Sequence, residues 1–567
     1  MKKIIYLLFL FAFYSVSFSQ VLEQLNVRGQ FQFDMQSYKK DSLIGATKEP
    51  DQVKSMGKVY LNMNLSNFSA GIRYENYMNP ILGIDPSYAG NGISHRFARY
   101  SDENIDITAG NFYEQFGSGM ILRSYEDWLL GWDNAFDGLR VKYRPGSGVE
   151  LTGLIGKQRI FWGLGAGIVK GGDINLTIND LFKDLLSNST LLTVGGSVVS
   201  KYQPDLESFY NLPVNVLAYS GRMSLIGDIF ALESEYAYKY NDPSRANQFN
   251  YNPGTGFLLS ASYYPQGFSA SVNFHRTDNM DFRSDRGETG NNLMLNFLPP
   301  LSKQHTYRLI TLYPFATQLL GEVGLQAELT YTFPKNSLLG GDYGTTVNIN
   351  YSRVHNLDTM QKHTITIFKD TLSGAEVVYD DVFTYDSPFF SIGKRLYFQD
   401  INIEITKKWS SKFKSIFSLI NIIYDKDIME NSGAPLYGKV KATALVADLT
   451  YMISRTNAIR FDLEHMWSSQ DSSLRVPDNS NGNWAMALAE FTIAPSWYFS
   501  VWDEYNYGND DPARQIHYVS GSIAYVHNST RFSFGFGRQR GGILCVGGVC
   551  REVPASNGFN LSITSTF

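Results

Sequence analysis

The chain has 567 residues, a formal net charge of −5, 14% aromatic residues, 49 glycines and two cysteines. This mildly acidic balance argues against a nucleic-acid partner, which requires a basic surface. The many Tyr, Phe and Gly residues favour strands and tight turns over helices. Beyond the N-terminus no stretch approaches about 18 consecutive apolar residues, so we expect no membrane-spanning helix.

The N-terminus predicts an export signal. Two lysines precede an apolar run from Ile4 to Tyr14, and Ser17 and Ser19 stand at the −3 and −1 positions of a cleavage site. This order is typical of a secretory signal peptide. We expect residues 1–19 to be the signal peptide and residues 20–567 to form one domain.

Strict alternation of apolar and polar residues begins directly after this leader. In VRGQFQFDMQ, residues 27–36, every second residue is apolar or Gly, and EVGLQAELTYTF, residues 322–333, repeats the pattern. Such strands have one apolar and one hydrophilic face. Because lipid offers the backbone no hydrogen-bond partner, strands of this kind can cross a membrane only as a closed barrel.

The connections between these strands alternate in length. Short turns are predicted near Asn67, Asp102, Gly146, Ser187, Asp228, Gln266, Asn336, Ser410, Thr456, Pro495 and Asn528. The opposite connections are longer and polar, and aromatic residues stand near the strand ends, at Tyr143, Tyr263, Phe268, Phe333, Tyr451 and Trp497. This is typical of an outer-membrane barrel of a Gram-negative bacterium. We therefore predict an all-β fold: a single large antiparallel transmembrane β-barrel with short periplasmic turns and long extracellular loops.

The number of strands depends on one further segment. Eleven short turns give 24 strands, and NLMLNFLPPLSKQHTYRLITLY, residues 292–313, would make 26 if it formed a twelfth hairpin around Pro299 and Pro300. We expect about 26 strands, within a range of 22–26. Residues 358–391 are expected to be a long external insertion that forms its own hairpin.

No residue pattern predicts catalysis, a metal or a cofactor. In RFDLEHMW, Asp462 and Glu464 share one strand face and His465 takes the other, so they do not form an acid/base cluster. None of the eight histidines has the spacing of a zinc site. We expect that the protein is not an enzyme. The GFGRQRGG stretch, residues 535–542, is interpreted as solvated loop charge, with a phosphate or lipopolysaccharide contact as the alternative.

The two cysteines stand close together near the C-terminus. Cys545 and Cys550 flank a Val-Gly-Gly-Val tip, and in an exported chain this spacing favours a loop-closing disulfide over free thiols or a metal site. The last strand, GFNLSITSTF, ends at Phe567 and resembles the signal that the outer-membrane assembly machinery reads. That machinery, membrane lipid and lipopolysaccharide are therefore the expected partners.

The stretch TAGNFYEQFGSGMILRSYEDWLLGWDNAFDGLRVKYRP, residues 108–145, together with NFLPPLSKQHTY, resembles an uncharacterised Bacteroidota family of outer-membrane proteins known only as a domain of unknown function. The resemblance implies an outer-membrane barrel and no established activity. A looser likeness is to substrate-selective porins, in which a G-K/R-F/Y-x-x-x-F/W-G strand leads into a loop inside the lumen and the chain returns at F-D-G-V/L-R. Residues 110–117 and 136–140 match this pattern except at Asn111, where a basic residue is expected. The likeness implies that residues 110–137 fold inward.

On this basis the leading hypothesis is a passive or substrate-selective channel for a small polar solute, with a constriction at residues 110–137. Charged side chains at the narrowing and on the facing wall would determine selectivity. They are Glu114, Arg123, Glu126, Asp127, Asp133, Asp137, Arg140, Lys142 and Arg144. Two alternatives stay open: these charges pair with one another and seal the lumen, or the barrel is a structural or assembly component that binds another outer-membrane or surface protein.

Overall fold

The computed structural model describes residues 25–128, 130–183, 189–206, 210–369, 376–471, 478–546 and 549–567. The expected signal peptide, residues 1–19, and the turn predicted near Ser187 lie outside these ranges. Within them the regular secondary structure is almost entirely β-strand.

Twenty-four long strands form one antiparallel sheet, to which only the two-residue strand Gly163–Leu164 is added. The strands are Asn26–Tyr38 (β1), Val53–Leu65 (β2), Phe68–Asn79 (β3), Gly90–Ser101 (β4), Ile105–Phe112 (β5), Phe136–Gly146 (β6), Val149–Ile160 (β7), Ile168–Thr177 (β8), Leu191–Tyr202 (β9), Asn215–Ile226 (β10), Phe230–Lys239 (β11), Gly254–Tyr263 (β12), Phe268–Asp278 (β13), Gly321–Phe333 (β14), Thr345–His355 (β15), Leu396–Lys408 (β16), Phe413–Asp425 (β17), Lys439–Met452 (β18), Asn457–Asp471 (β19), Trp484–Ile493 (β20), Trp497–Tyr505 (β21), His517–His527 (β22), Thr530–Gln539 (β23) and Ser556–Thr566 (β24).

Each strand pairs with its neighbours in the sequence, and the sheet closes on itself. β24 pairs with β23 and also with β1, in a register that runs from Gln30 opposite Thr566 to Tyr38 opposite Gly558. A closed sheet leaves no unpaired edge, which is what a strand in lipid requires. The predicted barrel is confirmed.

The two faces of the sheet differ as the alternation predicts. On β14 the side chains of Leu325, Leu329 and Tyr331 are 38%, 39% and 40% exposed, whereas Glu322, on the other face, is 0% exposed. The outward face is therefore apolar and the inward face polar. An apolar outer belt is the surface that lipid covers.

The long strands number 24, not 26, because residues 292–313 do not form wall strands. They belong to the connection between β13 and β14, where Leu295, Leu309 and Ile310 are at most 2% exposed. Their apolar side chains pack against inward-facing residues of other strands instead of facing lipid. An apolar side chain is removed from water equally well in lipid and in the barrel interior.

Smaller elements stand in the long connections. Met360–Lys369 pairs with Glu376–Asp386 in the connection from β15 to β16, and Gly542–Val546 pairs with Val549–Val553 in the one from β23 to β24. The second of these hairpins carries a disulfide between Cys545 and Cys550. No helix in the described ranges is long and apolar enough to cross a membrane.

Candidate functional site

The connection from β5 to β6, residues 113–135, is called here the first inserted segment. Its two ends lie side by side, because Gly110 pairs with Gly138 and Phe112 with Phe136. Gly110 has φ +99°, and a Cβ there would lie 2.4 Å from the carbonyl oxygen of Arg96. Only glycine fits this position, where the chain leaves the wall.

The middle of this segment makes a tight turn. The backbone N–H of Phe116 donates to the carbonyl of Leu122 at 3.0 Å, and Gly119 within the turn has φ +95°. Four apolar side chains of the turn are at most 1% exposed: Phe116, Met120, Ile121 and Leu122. They pack in one cluster with inward-facing residues of the wall, among them Leu154, Val169, Val199, Ala218 and Ala237.

A wall carboxylate holds the tip of this turn. The backbone N–H of Ser118 donates to Oε2 of Glu235, on β11, at 2.7 Å. A Cβ on the preceding Gly117, whose φ is +53°, would lie 2.6 Å from the same oxygen. The tip can approach the carboxylate this closely only because residue 117 is glycine.

The connection from β13 to β14, residues 279–320, is the second inserted segment. Its ends pair with each other, since Met280 N–H donates to the carbonyl of Leu319 at 2.8 Å. Farther along, the N–H groups of Arg308 and Leu309 both donate to the carboxylate of Glu464, on β19, at 2.8 Å. The segment therefore reaches from β13 and β14 to a distant part of the wall.

The two inserted segments are joined directly. Arg123 N–H donates to the carbonyl of Leu295 at 2.7 Å, and Phe297 N–H donates to the carbonyl of Gly119 at 3.0 Å. The side-chain amide of Asn134 adds a bond of 3.0 Å to the carbonyl of Met294. Together they form one partition, attached to the wall at Glu235 and Glu464.

Asp133, one of the predicted constriction residues, lies in a buried charge network. Its carboxylate pairs with Arg73 and Arg159, and both guanidinium groups also bind Glu75, each at 2.8 Å. Burial opposes the ionisation of Asp133, but Arg159 and Arg73 outweigh it and lower its pKa below the ordinary value. The carboxylate therefore carries its charge inside the protein.

The other predicted charges are also largely paired. Glu126 binds Lys58 at 2.7 Å and Arg73 at 2.8 Å. Glu114 binds Lys142 at 3.1 Å and Arg140 at 3.4 Å. These contacts fit the alternative in which the charges satisfy one another.

The remaining predicted residues occupy different surroundings. Arg140 also binds Asp106 at 3.1 Å. Arg144 binds Glu150 at 2.8 Å beside the short turn after β6. Asp127 accepts a 3.1 Å bond from the N–H of Leu130.

Asp137 does not lie with the others. On β6, Phe136 and Arg140 face inward, so Asp137 has the opposite orientation. It pairs at 3.2 Å with Arg96, whose side chain is 60% exposed. Its inclusion in a lumen-lining set is wrong, because neighbouring strand residues point to opposite faces.

Two cavities lie against opposite sides of the partition. The vestibule, of about 760 Å³, reaches towards the short turns and is bounded by residues 117–118 and 299–301 of the partition. The outer cavity, of about 600 Å³, is bounded by Arg123, residues 296–298 and the long connections. A third cavity, of about 420 Å³, lies between the second inserted segment and the disulfide hairpin.

Several vestibule residues are absent from the sequence-based set. Arg222 binds Asp173 at 2.9 Å, and Glu233 and Glu235 line the same space. Their signal was present in the sequence, since each stands on the polar face of an alternating strand. Alternation alone does not show which strands face the inserted segments, so it could not single out these residues.

The cluster at Asp462, Glu464 and His465 is separated as alternation predicts. Asp462 binds Arg460 at 3.1 Å and Glu464 holds the second inserted segment, whereas His465 contacts the hydroxyl of Tyr507 at 2.8 Å. In the part of the chain that the structure describes, no group of three or more His, Cys, Asp or Glu side chains is arranged to hold a metal ion.

The arginines of residues 535–542 are not solvated loop charges. Arg538 binds Asp41 at 2.7 Å, and Arg540 binds Glu504 at 2.9 Å and the carbonyl of Arg308 at 2.9 Å. They hold the long connections and the second inserted segment, and their partners lie far away in the sequence.

These features define a class of protein: a closed 24-strand β-barrel of the outer-membrane type, with two of its own connections inside the lumen. The chain matches, over residues 1–567, a family of unknown function (DUF6029), and it belongs to that family. None of the curated protein sequences matches it.

Solved structures with related architecture include the siderophore receptor PirA from Acinetobacter baumannii, with 10% identity and a TM-score of 0.43 over 96% of this chain and 80% of that one. OccK3 (OpdO) from Pseudomonas aeruginosa has 10% identity and a TM-score of 0.35 over 80% of this chain and 99% of that one. The P pilus usher (PapC) translocation pore has 8% identity and a TM-score of 0.37 over 96% and 99%. Likeness at this level supports no inference about substrate or mechanism.

Proposed function

We propose that the protein is an outer-membrane channel for small polar solutes that its two inserted segments hold closed. One observation carries the proposal: the vestibule and the outer cavity lie against opposite sides of the same two stretches of chain, near residues 114–125 and 296–301. A barrel whose interior only stiffened the wall would need neither cavity.

The lining of the vestibule supports a hydrated route. Lys142, Asp173, Arg222, Glu233 and Glu235 all line it. A lumen of this width cannot be filled by wall side chains alone, so the partition determines whether solutes pass. The paired charges described above stabilise the closed arrangement.

Both attachments of the partition combine apolar packing against the wall with a hydrogen bond to a wall carboxylate. The second inserted segment is embedded in an apolar cluster that includes Leu309, Ile310, Tyr313 and Phe315 together with wall residues of β15–β20 and β22. The turn at residues 116–119 meets β11 through the Ser118–Glu235 contact and lies beside the vestibule. Movement of this turn away from Glu235 would join the two cavities.

The proposal includes a route to the membrane. Residues 1–19 would direct export, and the strand that ends at Phe567 would be read by the outer-membrane assembly machinery. Membrane lipid and lipopolysaccharide would then surround the apolar belt.

Conductance of the purified barrel in planar bilayers tests the channel. We expect the wild type to be mostly closed and Gly117→Ala to conduct in frequent steps, because the added Cβ would lie 2.6 Å from Glu235 and residue 117 has φ +53°. The control is Gly146→Ala, where a Cβ meets nothing within 4 Å. It should behave like the wild type.

Silence of all three folded barrels would overturn the proposal. If the silent wild type also copurified in fixed proportion with another outer-membrane protein, the structural or assembly role would replace it.

A further inference from the structure

The outer cavity has an excess of positive charge. Arg123, Arg245 and Arg283 line it, and Asp281 is the one acidic residue in the same lining. Arg283 is neutralised by Asp281 at 2.7 Å. Among the residues that the structure describes, no carboxylate forms an ion pair with Arg123 or Arg245.

Aromatic rings surround the first of these arginines. The guanidinium carbon of Arg123 lies 4.4 Å from the ring centroid of Tyr125 and 4.0 Å from that of Phe297. Trp132 continues this wall, with its ring centroid 5.8 Å from that of Tyr125 and the two planes 32° apart. The apolar C–H face of a ligand ring could lie against such a surface beside a fixed guanidinium group.

Three polar atoms of the same lining lack hydrogen-bond partners within the described ranges. They are Nε1 of Trp132, Oγ1 of Thr317 and Oδ1 of Asn296. The indole N–H can only donate, the amide oxygen can only accept, and the hydroxyl can do both. Each of the three atoms is itself covered by protein, so hydroxyl groups on a ligand would reach them after a small shift of the covering side chains, and a buried polar atom without a partner is costly.

We propose that the outer cavity binds an acidic sugar, a pyranose ring that carries a carboxylate. The carboxylate pairs with Arg123 and Arg245, the apolar face of the ring lies against Tyr125 and Trp132, and the ring hydroxyls bind the unpartnered atoms. The binding of this sugar does not depend on the channel proposed above. Only its transport through the barrel rests on that channel.

Calorimetry on the full-length barrel in detergent, without a membrane, tests the binding. The probes are D-glucuronate, D-glucose and D-glucosamine, which share one ring and differ in charge. We expect D-glucuronate to bind at least about tenfold more tightly than either of the others, because only it offers a negatively charged partner to the free arginines. Equal binding of D-glucosamine, or no binding of D-glucuronate, would overturn the proposal.

Two substitutions test the residues. Arg123→Gln should weaken D-glucuronate binding about tenfold or more. Since Arg123 is itself part of the partition, Arg245→Gln, in an exposed connection, provides an independent variant, and we expect a loss of about threefold because exposed charges contribute less. Arg144→Gln is the control, since Arg144 binds Glu150 beside a short turn and should not affect the outer cavity.

Unchanged affinity in both Arg123→Gln and Arg245→Gln would overturn the site. The two proposals fail separately. A barrel that binds D-glucuronate but never conducts would refute only the channel, and a conducting barrel that does not bind D-glucuronate would refute only the sugar site.

Discussion

The backbone N–H of Ser118 donates a hydrogen bond of 2.7 Å to Oε2 of Glu235 and so joins the tip of the first inserted segment to a wall strand that is not its neighbour. Glu235 is 4% exposed. Because a hydrogen bond to a charged group contributes about 1.5–3 kcal/mol, this contact can shift the balance between closed and open forms by about 10–100-fold.

The first prediction concerns this contact. Glu235→Ala should raise the open probability of the channel in planar bilayers by about tenfold or more, since the tip loses its acceptor on the wall. Glu233→Ala is the matched control, because Glu233 lines the same vestibule two residues away and accepts a 3.3 Å bond from Ser224 of the wall. If both variants conduct equally, the Ser118 contact does not hold the channel closed.

The second prediction concerns the other anchor. Glu464→Ala removes the acceptor of the Arg308 and Leu309 N–H groups, and we expect faster amide hydrogen exchange across residues 304–314. Glu490→Ala provides the comparison, because Glu490 binds Arg460 on the wall. Unchanged protection in Glu464→Ala would mean that the apolar cluster alone holds the segment.

The third prediction concerns stability. Asp133→Asn should lower the free energy of unfolding by about 3–5 kcal/mol, because Arg73 and Arg159 would lose a buried counter-charge. The measurement is a urea titration of the folded barrel in lipid. Asp127→Asn should change it little, since Asp127 lies in the same short hairpin, in which Glu126–Asp127 pairs with Trp132–Asp133. An equal loss in both variants would contradict the importance of the network.

The fourth prediction is the pH dependence of the stability that Asp133 contributes. A group whose pKa is lowered by folding contributes stability above its unfolded pKa and loses that contribution as the pH falls through the folded value. The pKa of Asp133 lies below its ordinary 3.8. The stability difference between wild type and Asp133→Asn should therefore be constant at neutral pH and shrink below pH 3.8. If this stability difference grew on acidification, a titrating group other than Asp133 would control the pH dependence.

The fifth prediction separates the two faces of the wall. Leu329 faces outward beside Ile349, so Leu329→Arg should cost about 2–4 kcal/mol in a refolding titration into lipid. Glu328, next to it, accepts a bond from Asn348 inside the barrel, and Glu328→Arg should be tolerated. Equal damage from both substitutions would argue against lipid on the outer face.

Local chemistry made the wall predictable. Alternation on β1 and β14 indicates which residues face lipid, because the period of a strand is two and the two surroundings differ in polarity. The short turns could be located for the same reason, since residues such as Asn67 and Asn528 lie where alternation stops. These signals depend only on near neighbours in the chain.

The interior was harder to predict. Residues 292–313 alternate well enough to look like a hairpin, yet they pack inside the barrel. The sequence cannot separate the two cases, because an apolar side chain gives the same pattern whether it faces lipid or a protein core. Asp137 was assigned to the lumen although only its neighbours on β6 face inward. Its own side chain points to the opposite face of the strand. Arg540 depends on Glu504, a partner that no local pattern reveals.

The sequence by itself therefore determined a closed barrel with an apolar outer belt, since backbone hydrogen bonding and side-chain polarity within a few residues suffice for that. Only the tertiary structure decided what occupies the lumen, which charges are paired and where cavities remain. Those outcomes depend on contacts such as Ser118 with Glu235 and Arg308 with Glu464, between residues far apart in the chain. Many alternative pairings satisfy the same local pattern, and only the packed molecule selects among them.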